Sequence, residues 1–271
     1  MADYEETITN IRAARNLKTA SDPLHWLNLA GLFWLEEGEN PFGSDSANKI
    51  VLPEFPYANC GSFRLKDGLV TLHPTKSASI TINDAAPETR PLLTDREKAP
   101  DLINIGSLTM KIIIRGGVPL VRIWDRESPA GRNFTGFHYY PAKPEYRISA
   151  KYVRYDPPKP IKVMEAIGTE IDSVLLGQAQ FTLNGTDCTL EAEKSGEELL
   201  FNFTDGTSKD TTYGGGRKFY LPKPEGDEII LDFNLTENWP CAYTPYATCP
   251  IPSKENRLPI KVEAGELKYH E

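Results

Sequence analysis

Residues 178–206, QAQFTLNGTDCTLEAEKSGEELLFNFTDG, give the clearest indication of the fold class. Asn184-Gly185, Ser195-Gly196 and Asp205-Gly206 divide this stretch into three runs that favour β-strands. Dipeptides of this kind suit tight hairpin turns, because glycine and asparagine accept the positive φ angles that such turns need. Evenly spaced strands with these turns predict an antiparallel meander, as in a β-sandwich or barrel.

A further hairpin is predicted at residues 108–125, LTMKIIIRGGVPLVRIWD. Its paired glycines, Gly116-Gly117, separate two apolar runs. KYVRYDPPKPIKVME indicates a strand, a proline bend and a second strand. Other strands are predicted at residues 69–73, 79–82, 217–222 (RKFYLP) and 228–234 (EIILDFN). The fold class is therefore mainly β, an antiparallel sandwich or barrel with hairpin meanders.

The N-terminal region has a different pattern, with apolar residues at Ile8, Ile11 and Leu17 and a proline-containing helix start at Ser21-Asp22-Pro23. This predicts a short N-terminal helical region. We expect one β-rich domain over residues 1–271, or two packed β-units at about 48–127 and 145–235, with a helical segment at 3–37 and a Gly/Pro-rich C-terminal loop region at 236–271.

Charge and hydropathy exclude several classes of partner. The net charge is -8, from 30 Lys and Arg against 38 Asp and Glu, and no basic stripe follows a helix or strand. Extended nucleic-acid binding depends on clustered cations, so no nucleic-acid partner is expected. The sequence contains no apolar run of the ~20 residues that span a bilayer, and its charged N-terminus lacks a signal-peptide core. We expect a cytoplasmic protein without a membrane partner; the sequence gives no indication of oligomeric state.

The four cysteines are Cys60, Cys188, Cys241 and Cys249. They form no Cys-x-x-Cys pair and have no histidine at ligand spacing, so no metal site is expected. Cys241 and Cys249 lie eight residues apart in a proline-rich loop. They either form a disulfide or remain two buried thiols, and a reducing cytoplasm favours the thiols. No signature of a redox cofactor is present.

A Gly/Pro-rich stretch from Tyr213 onward contains the best candidates for a binding site. It begins YGGGRKFYLP, where strand residues follow the three glycines, although a phosphate-binding loop requires a helix there. Three interpretations remain open for the glycines: a bulge or wide turn, close approach of a ligand to the backbone, or a hinge.

Arginines, amides and tyrosine hydroxyls in and near this stretch can orient a polar ligand, and arginine suits a carboxylate or phosphate. The expected ligand-binding residues are Arg122, Arg217, Tyr220, Asn238, Tyr243, Asn256 and Arg257. The candidates for acid–base catalysis are His138, Asp125 and Glu255. Structural alternatives compete with these roles: Arg257 and Glu255 can pair with other charges, Asn256 can form a turn, and Arg122 can stack over Trp124.

Several segments resemble the family catalogued as domain of unknown function 1684. They are LAGLFWLEEGENPFGS, VRIWDRESPAGRNFTGFHYYP, TYGGGRKFYLP and DFNLTENWPCAYTPYATCPIPSKENRLPIKVEAGE, and the likeness extends from about Trp26 onward. The resemblance implies a shared fold and assigns no catalytic roles.

Two functions follow as expectations. The first is binding of a small polar, anionic molecule in a loop-lined pocket, with hydrolytic or lyase chemistry if the pocket is catalytic. The second is a non-catalytic structural or partner-binding β-domain.

Overall fold

The computed structural model describes residues 2–270, which form two compact units. The sandwich unit comprises Thr19–Phe134, and the large-sheet unit comprises the residues up to Lys18 together with those from Thr135 onward. Residues 48–127 all lie in the sandwich unit and residues 145–235 all lie in the large-sheet unit. The expectation of one domain stays a prediction.

The sandwich unit contains two sheets. Its strands are β1 (Leu29–Trp34), β2 (Gly38–Gly43), β3 (Ile50–Val51), β4 (Gly61–Lys66), β5 (Leu69–Pro74), β6 (Thr81–Ile82), β7 (Ile103–Ile105), β8 (Leu108–Arg115) and β9 (Val118–Asp125). One sheet has the order β1-β9-β8-β7-β6 and the other the order β3-β2-β4-β5; only the pair β2–β3 is parallel among the described strands. Both sheets contribute to one core, in which the rings of Phe42 and Phe63 stack 4.8 Å apart.

The large-sheet unit is built on one seven-stranded antiparallel sheet. Its strands are β10 (Arg147–Met164), β11 (Glu170–Leu183), β12 (Thr186–Ser195), β13 (Glu198–Phe203), β14 (Arg217–Pro222), β15 (Glu228–Asp232) and β16 (Glu237–Asn238), in the order β15-β10-β11-β12-β13-β14-β16. Phe203, Phe219 and Phe233 contact one another edge-on in its core. Residues 258–264 pack against the same core, so the C-terminal segment covers one face of the sheet.

Helices are few and short apart from the first. They are α1 (Ala2–Ser21), α2 (Pro129–Arg132) and 3-10 turns at Trp26–Asn28, Pro144–Tyr146, Phe233–Leu235 and Pro240–Ala242. Through its residues up to Lys18, α1 joins the large-sheet unit by polar contacts: the Arg12 guanidinium donates to the carbonyl oxygens of Tyr140 (2.9 Å) and Asn234 (3.0 Å). No helix within residues 2–270 combines the length and apolarity that a membrane crossing requires.

The mainly β, antiparallel fold is confirmed. Gly116 and Gly117 join β8 to β9 with φ angles of 55° and 81°, and Asn184-Gly185 joins β11 to β12 with angles of 51° and 75°. Within residues 2–270 no sheet closes into a barrel, so the sandwich alternative fits.

Three local predictions were wrong. The helical segment predicted at 3–37 ends at Ser21, and residues 29–34 form β1, because β9 offers them a hydrogen-bonding edge. Asp205-Gly206 opens a long loop to β14 rather than a two-residue turn. KYVRYDPPKPIKVM lies in one long strand, β10, whose register with β11 shifts between Arg154 and Lys159.

Candidate functional site

A groove on the large-sheet unit is the best candidate for a functional site. It has a volume of about 400 Å³ and lies between three neighbouring strands, β10, β11 and β12, and the loop that follows Pro250. Its lining consists of residues 161–164, Leu175, Glu191, Glu193 and residues 251–256. Volumes of this order hold one small organic molecule.

Two carboxyl groups, Glu191 and Glu193, lie side by side in the groove. They are two residues apart on β12, so they share the face of the strand opposite the core residues Leu190 and Ala192. Successive same-face residues on a strand are about 7 Å apart, close enough for both carboxyl groups to reach one small ligand.

The two glutamates have different surroundings. Burial raises the pKa of Glu193 above its ordinary value, and a hydrogen bond from the Ser173 hydroxyl (3.2 Å) only partly opposes this. Glu191 accepts a hydrogen bond from the Tyr155 hydroxyl on Oε1 (3.0 Å), whereas its buried Oε2 has no hydrogen-bond partner among the described residues. Burial, together with the bond to Glu191, raises the pKa of Tyr155 to about 12, so that this hydroxyl remains a donor.

Asn256 fixes the loop wall of the groove to the strand that carries the glutamates. Its Oδ1 accepts from the backbone N–H of Glu191 (2.7 Å), and its Nδ2 donates to the carbonyl oxygens of Glu191 (3.0 Å) and Asn202 (2.9 Å). The side chain is buried, with all three contacts made to backbone. Asn256 therefore positions Glu191, while its predicted neighbour Glu255 is exposed on the rim.

Arg217, the central residue of the expected ligand site, is instead part of the interior of the large-sheet unit. It is 1% exposed. Its guanidinium donates to the carbonyl oxygens of Ala264 and Val262 and pairs with Asp205 at 3.3 Å. Arg217 thereby holds the C-terminal segment against the sheet, and it does not line the groove.

Asn238 and Tyr243 belong to a second interior network, centred on the buried carboxylate of Glu266. Asn238 donates to Glu266 from its backbone N–H (3.0 Å) and from Nδ2 (3.1 Å), and Tyr243 donates from its hydroxyl (2.6 Å). Arg15 of α1 completes the network with an ion pair of 2.8 Å to Glu266. The arrangement joins the first helix, the sheet edge and the C-terminal segment.

The other predicted residues of the large-sheet unit are exposed. They are Tyr220, Arg257 and His138. The Tyr220 ring lies 4.7 Å from the Lys218 ammonium, and the backbone of Arg257 bridges to Thr204. None of the three lines the groove as the described residues define it.

Arg122 and Asp125 lie in the sandwich unit. Arg122 is buried, with its guanidinium 5.2 Å from the centre of the Trp26 ring. Asp125 accepts a hydrogen bond from the backbone N–H of Glu127 (2.9 Å) and so caps the turn that ends β9. Neither residue is among those that line the groove.

The three glycines at 214–216 form the turn that leads into β14. Gly216 has a φ of +96°, and a Cβ there would lie 2.6 Å from Pro252 and 2.7 Å from the carbonyl oxygen of Phe203. Of the three interpretations left open, a wide turn agrees best with these contacts, because protein atoms occupy the space that a side chain would take.

The glutamates of the groove were missed at the sequence level. The available signal was their spacing in TLEAEK, where Glu191 and Glu193 alternate with Leu190 and Ala192. Such alternation is ordinary for a strand with one solvated face, so it did not distinguish a groove from open surface.

Comparisons with known proteins find a family match for the C-terminal half of the chain. A family model described as "Protein of unknown function (DUF1684)" matches residues 132–267, a range that includes the whole groove. A solution NMR structure of an uncharacterised protein from Haloarcula marismortui is 31% identical, covers 51% of this chain and 80% of its own, and superposes with a TM-score of 0.43. No curated protein matches the chain.

Proposed function

Since the chain belongs to the DUF1684 family, whose description names no activity, we propose a function from the groove itself: it binds a small polar molecule and hydrolyses it by general acid–base catalysis. Glu193 serves as the proton donor and Glu191 as the proton acceptor.

The observation that carries this proposal is the pair of carboxyl groups with unequal surroundings. Burial favours the protonated form of Glu193. Acid–base chemistry near neutral pH requires one group that holds a proton and one that can accept it, and a difference in environment is the usual way to obtain both from two carboxyl groups.

Glu191 suits the role of acceptor because only one of its oxygens is engaged. The Tyr155 hydroxyl bonds to Oε1 and Asn256 fixes the backbone on both sides of the residue. Oε2 has no partner within the described part of the chain, and a buried carboxylate oxygen gains free energy from a donor such as a substrate hydroxyl or an attacking water.

The walls indicate the charge of the ligand. Ile161, Met164 and Ile251 give the groove apolar surface, and Lys162 is paired with Asp172 at 2.6 Å. The arginines from which an anionic ligand was expected lie elsewhere, which leaves Lys254 on the rim as the remaining cation of the lining. This composition favours a neutral, hydroxyl-bearing ligand over an anionic one.

The proposal is tested with 4-nitrophenyl glycosides and esters as chromogenic substrates, and with Glu193→Gln and Glu191→Gln. Each variant is expected to lose about 10²–10⁴-fold in kcat/KM, which is the usual contribution of a positioned acid or base. Glu197→Gln is the matched control, because this fully exposed glutamate lies outside the groove and makes the same change in charge.

Circular dichroism of each variant separates loss of chemistry from loss of fold. Equal activity in all four proteins would contradict the proposed roles. Thermal stabilisation by neutral sugars without turnover would instead support binding of a small molecule without catalysis.

A further inference from the structure

Cys241 and Cys249 meet in the loop that follows β16. The backbone N–H of Cys241 donates to the sulfur of Cys249 at 3.2 Å. The Cys249 thiol and the Tyr213 hydroxyl are the side-chain groups that act on the Cys241 thiol. None of the four cysteines, all of which the structure describes, forms a disulfide.

The two thiols differ in access to solvent. Cys241 is half-buried, whereas Cys249 is 5% exposed and packs against Leu200, Trp239 and Ala247. A reactive pair of cysteines needs this asymmetry: one sulfur that a reagent can reach, and a second that is protected but close enough to react with the first.

The surroundings also distinguish Cys241 from the other cysteines. Its hydrogen bonds with Cys249 and Tyr213 lower the pKa of the Cys241 thiol to about 7, against the effect of its burial. Burial instead raises the pKa values of Cys60 and Cys188 above the ordinary thiol value. Because the thiolate is the nucleophile, Cys241 is the most reactive of these three sulfurs at neutral pH.

We propose that Cys241 and Cys249 form a redox-active dithiol whose oxidant is a hydroperoxide. The site is separate from the groove chemistry proposed above and does not depend on it.

The reaction balances in two steps. The Cys241 thiolate attacks one oxygen of the peroxide, the O–O bond breaks, and a sulfenic acid forms as hydroxide or alkoxide leaves and takes up a proton. The Cys249 sulfur then attacks the sulfenic sulfur, loses its proton and displaces hydroxide, which gives the disulfide and water. Together the two cysteines lose one pair of electrons, and the peroxide gains that pair.

Position in the chain supports the second step. The two residues belong to the same loop, and the sulfur of Cys249 already contacts the backbone of Cys241, so closure requires movement within this loop alone. The Cys249 carbonyl accepts a hydrogen bond from the N–H of Ala166 (2.8 Å), which fixes the protected partner while the half-buried Cys241 reacts.

The test uses the folded, full-length chain at pH 7 with a small excess of hydrogen peroxide, followed by alkylation and peptide mass spectrometry. The expected product is one disulfide that joins Cys241 to Cys249 and is reversed by dithiothreitol. In Cys249→Ser, peroxide is expected to leave a sulfenic acid on Cys241 that dimedone traps, and Cys241→Ser is expected to abolish oxidation at position 249.

Cys188→Ser is the matched control, and its Cys241–Cys249 disulfide should form at the wild-type rate. Tyr213→Phe keeps both thiols but removes the hydroxyl that bonds to Cys241, so it should slow the reaction by at least about threefold through a smaller thiolate fraction. The proposal is overturned if the folded protein keeps both thiols reduced, or if Cys60 and Cys188 are oxidised as quickly as Cys241.

Discussion

Replacing Arg217 by methionine is expected to lower the free energy of unfolding by about 3–5 kcal/mol, because the substitution breaks a fully buried ion pair. The guanidinium pairs with Asp205 at 3.3 Å and donates to the carbonyl oxygens of Val262 and Ala264. Methionine retains much of the side-chain volume, so the loss measures polar contacts rather than an empty cavity.

The magnitude follows from the groups that the substitution leaves behind. Each buried carbonyl that loses its donor costs about 1–3 kcal/mol. Asp205 is less affected, since it still accepts from the backbone N–H of Val262 (2.7 Å) and from the Thr207 hydroxyl (2.9 Å). Two carbonyl groups without a donor, together with a carboxylate that keeps part of its hydrogen bonds, therefore account for the expected loss in the free energy of unfolding. This loss is a large fraction of the 5–15 kcal/mol that is typical of a folded protein.

The assay is urea unfolding followed by tryptophan fluorescence, with the buried Trp239 as a reporter in the same unit. Arg217→Lys keeps the charge but loses the planar fork, so it should recover only part of the stability. A double-mutant cycle with Asp205→Asn isolates the ion pair, because the two residues are in contact and their effects should not add.

The competing role for Arg217 is capture of an anionic ligand. If that role were correct, Arg217→Met would change the free energy of unfolding by less than about 1 kcal/mol, as is usual for exposed positions. It would also abolish stabilisation by small carboxylates or phosphates. That combination would refute the structural role argued from the hydrogen bonds.

Three further predictions concern single positions. Alkylation of Cys241 by iodoacetamide, followed by mass spectrometry, should rise with pH to a half-maximal rate near pH 7, because its pKa is lowered from 9.0 to about 7; a midpoint near 8.5 would contradict this. Gly265→Ala should lower the free energy of unfolding, measured in urea, by more than about 2 kcal/mol, since φ is +76° and the new Cβ would lie 2.7 Å from the carbonyl oxygen of Phe233. Gly168→Ala is the control: with φ +83° and no described atom within 4 Å of the new Cβ, it should lower the free energy of unfolding by about 1 kcal/mol. Glu193→Gln should raise the Tm by more at pH 7 than at pH 4. The folded protein holds the Glu193 proton more tightly than the unfolded chain does, so the wild type loses stability as the pH rises from the ordinary pKa of 4.5 through the raised pKa of the folded state. A difference in Tm that is independent of pH would contradict this prediction.

The parts of the fold that the sequence predicted are those fixed by neighbouring residues. Asn184-Gly185 and Gly116-Gly117 carry positive φ angles that few other residues adopt, so the turn type and the antiparallel pairing follow from the dipeptide itself. The strands on either side then need only alternate apolar and polar residues to be recognised.

The predictions that were wrong concern segments whose structure depends on distant residues. Residues 29–34 contain a helix-compatible run, LAGLFW, and become a strand because β9, some ninety residues later, pairs with them. Asp205-Gly206 has the composition of a hairpin turn, but the Asp205 carboxylate bonds to the N–H of Val262 and to Arg217 instead. Local propensity was overridden in both cases by long-range hydrogen bonds.

For the candidate site, too, the sequence shows which residue types are present but not the distant contacts that decide their role. Arginine, asparagine and tyrosine in a Gly/Pro-rich stretch have the chemistry of a binding site. The same donors, however, also satisfy the carbonyl groups of an irregular C-terminal segment that pairs with its neighbours through isolated bridges. The Arg217 contacts to Val262 and Ala264 and the Asn238 contact to Leu267 are of this second kind. A segment without a regular hydrogen-bond ladder therefore needs buried polar side chains for its own stability, and their abundance near the C-terminus is accounted for before any ligand is considered. The groove differs, because the buried Glu193 carboxyl there has only the Ser173 hydroxyl as a side-chain donor and the buried Oε2 of Glu191 has no partner among the described residues, and the proposed ligand is argued from these two groups.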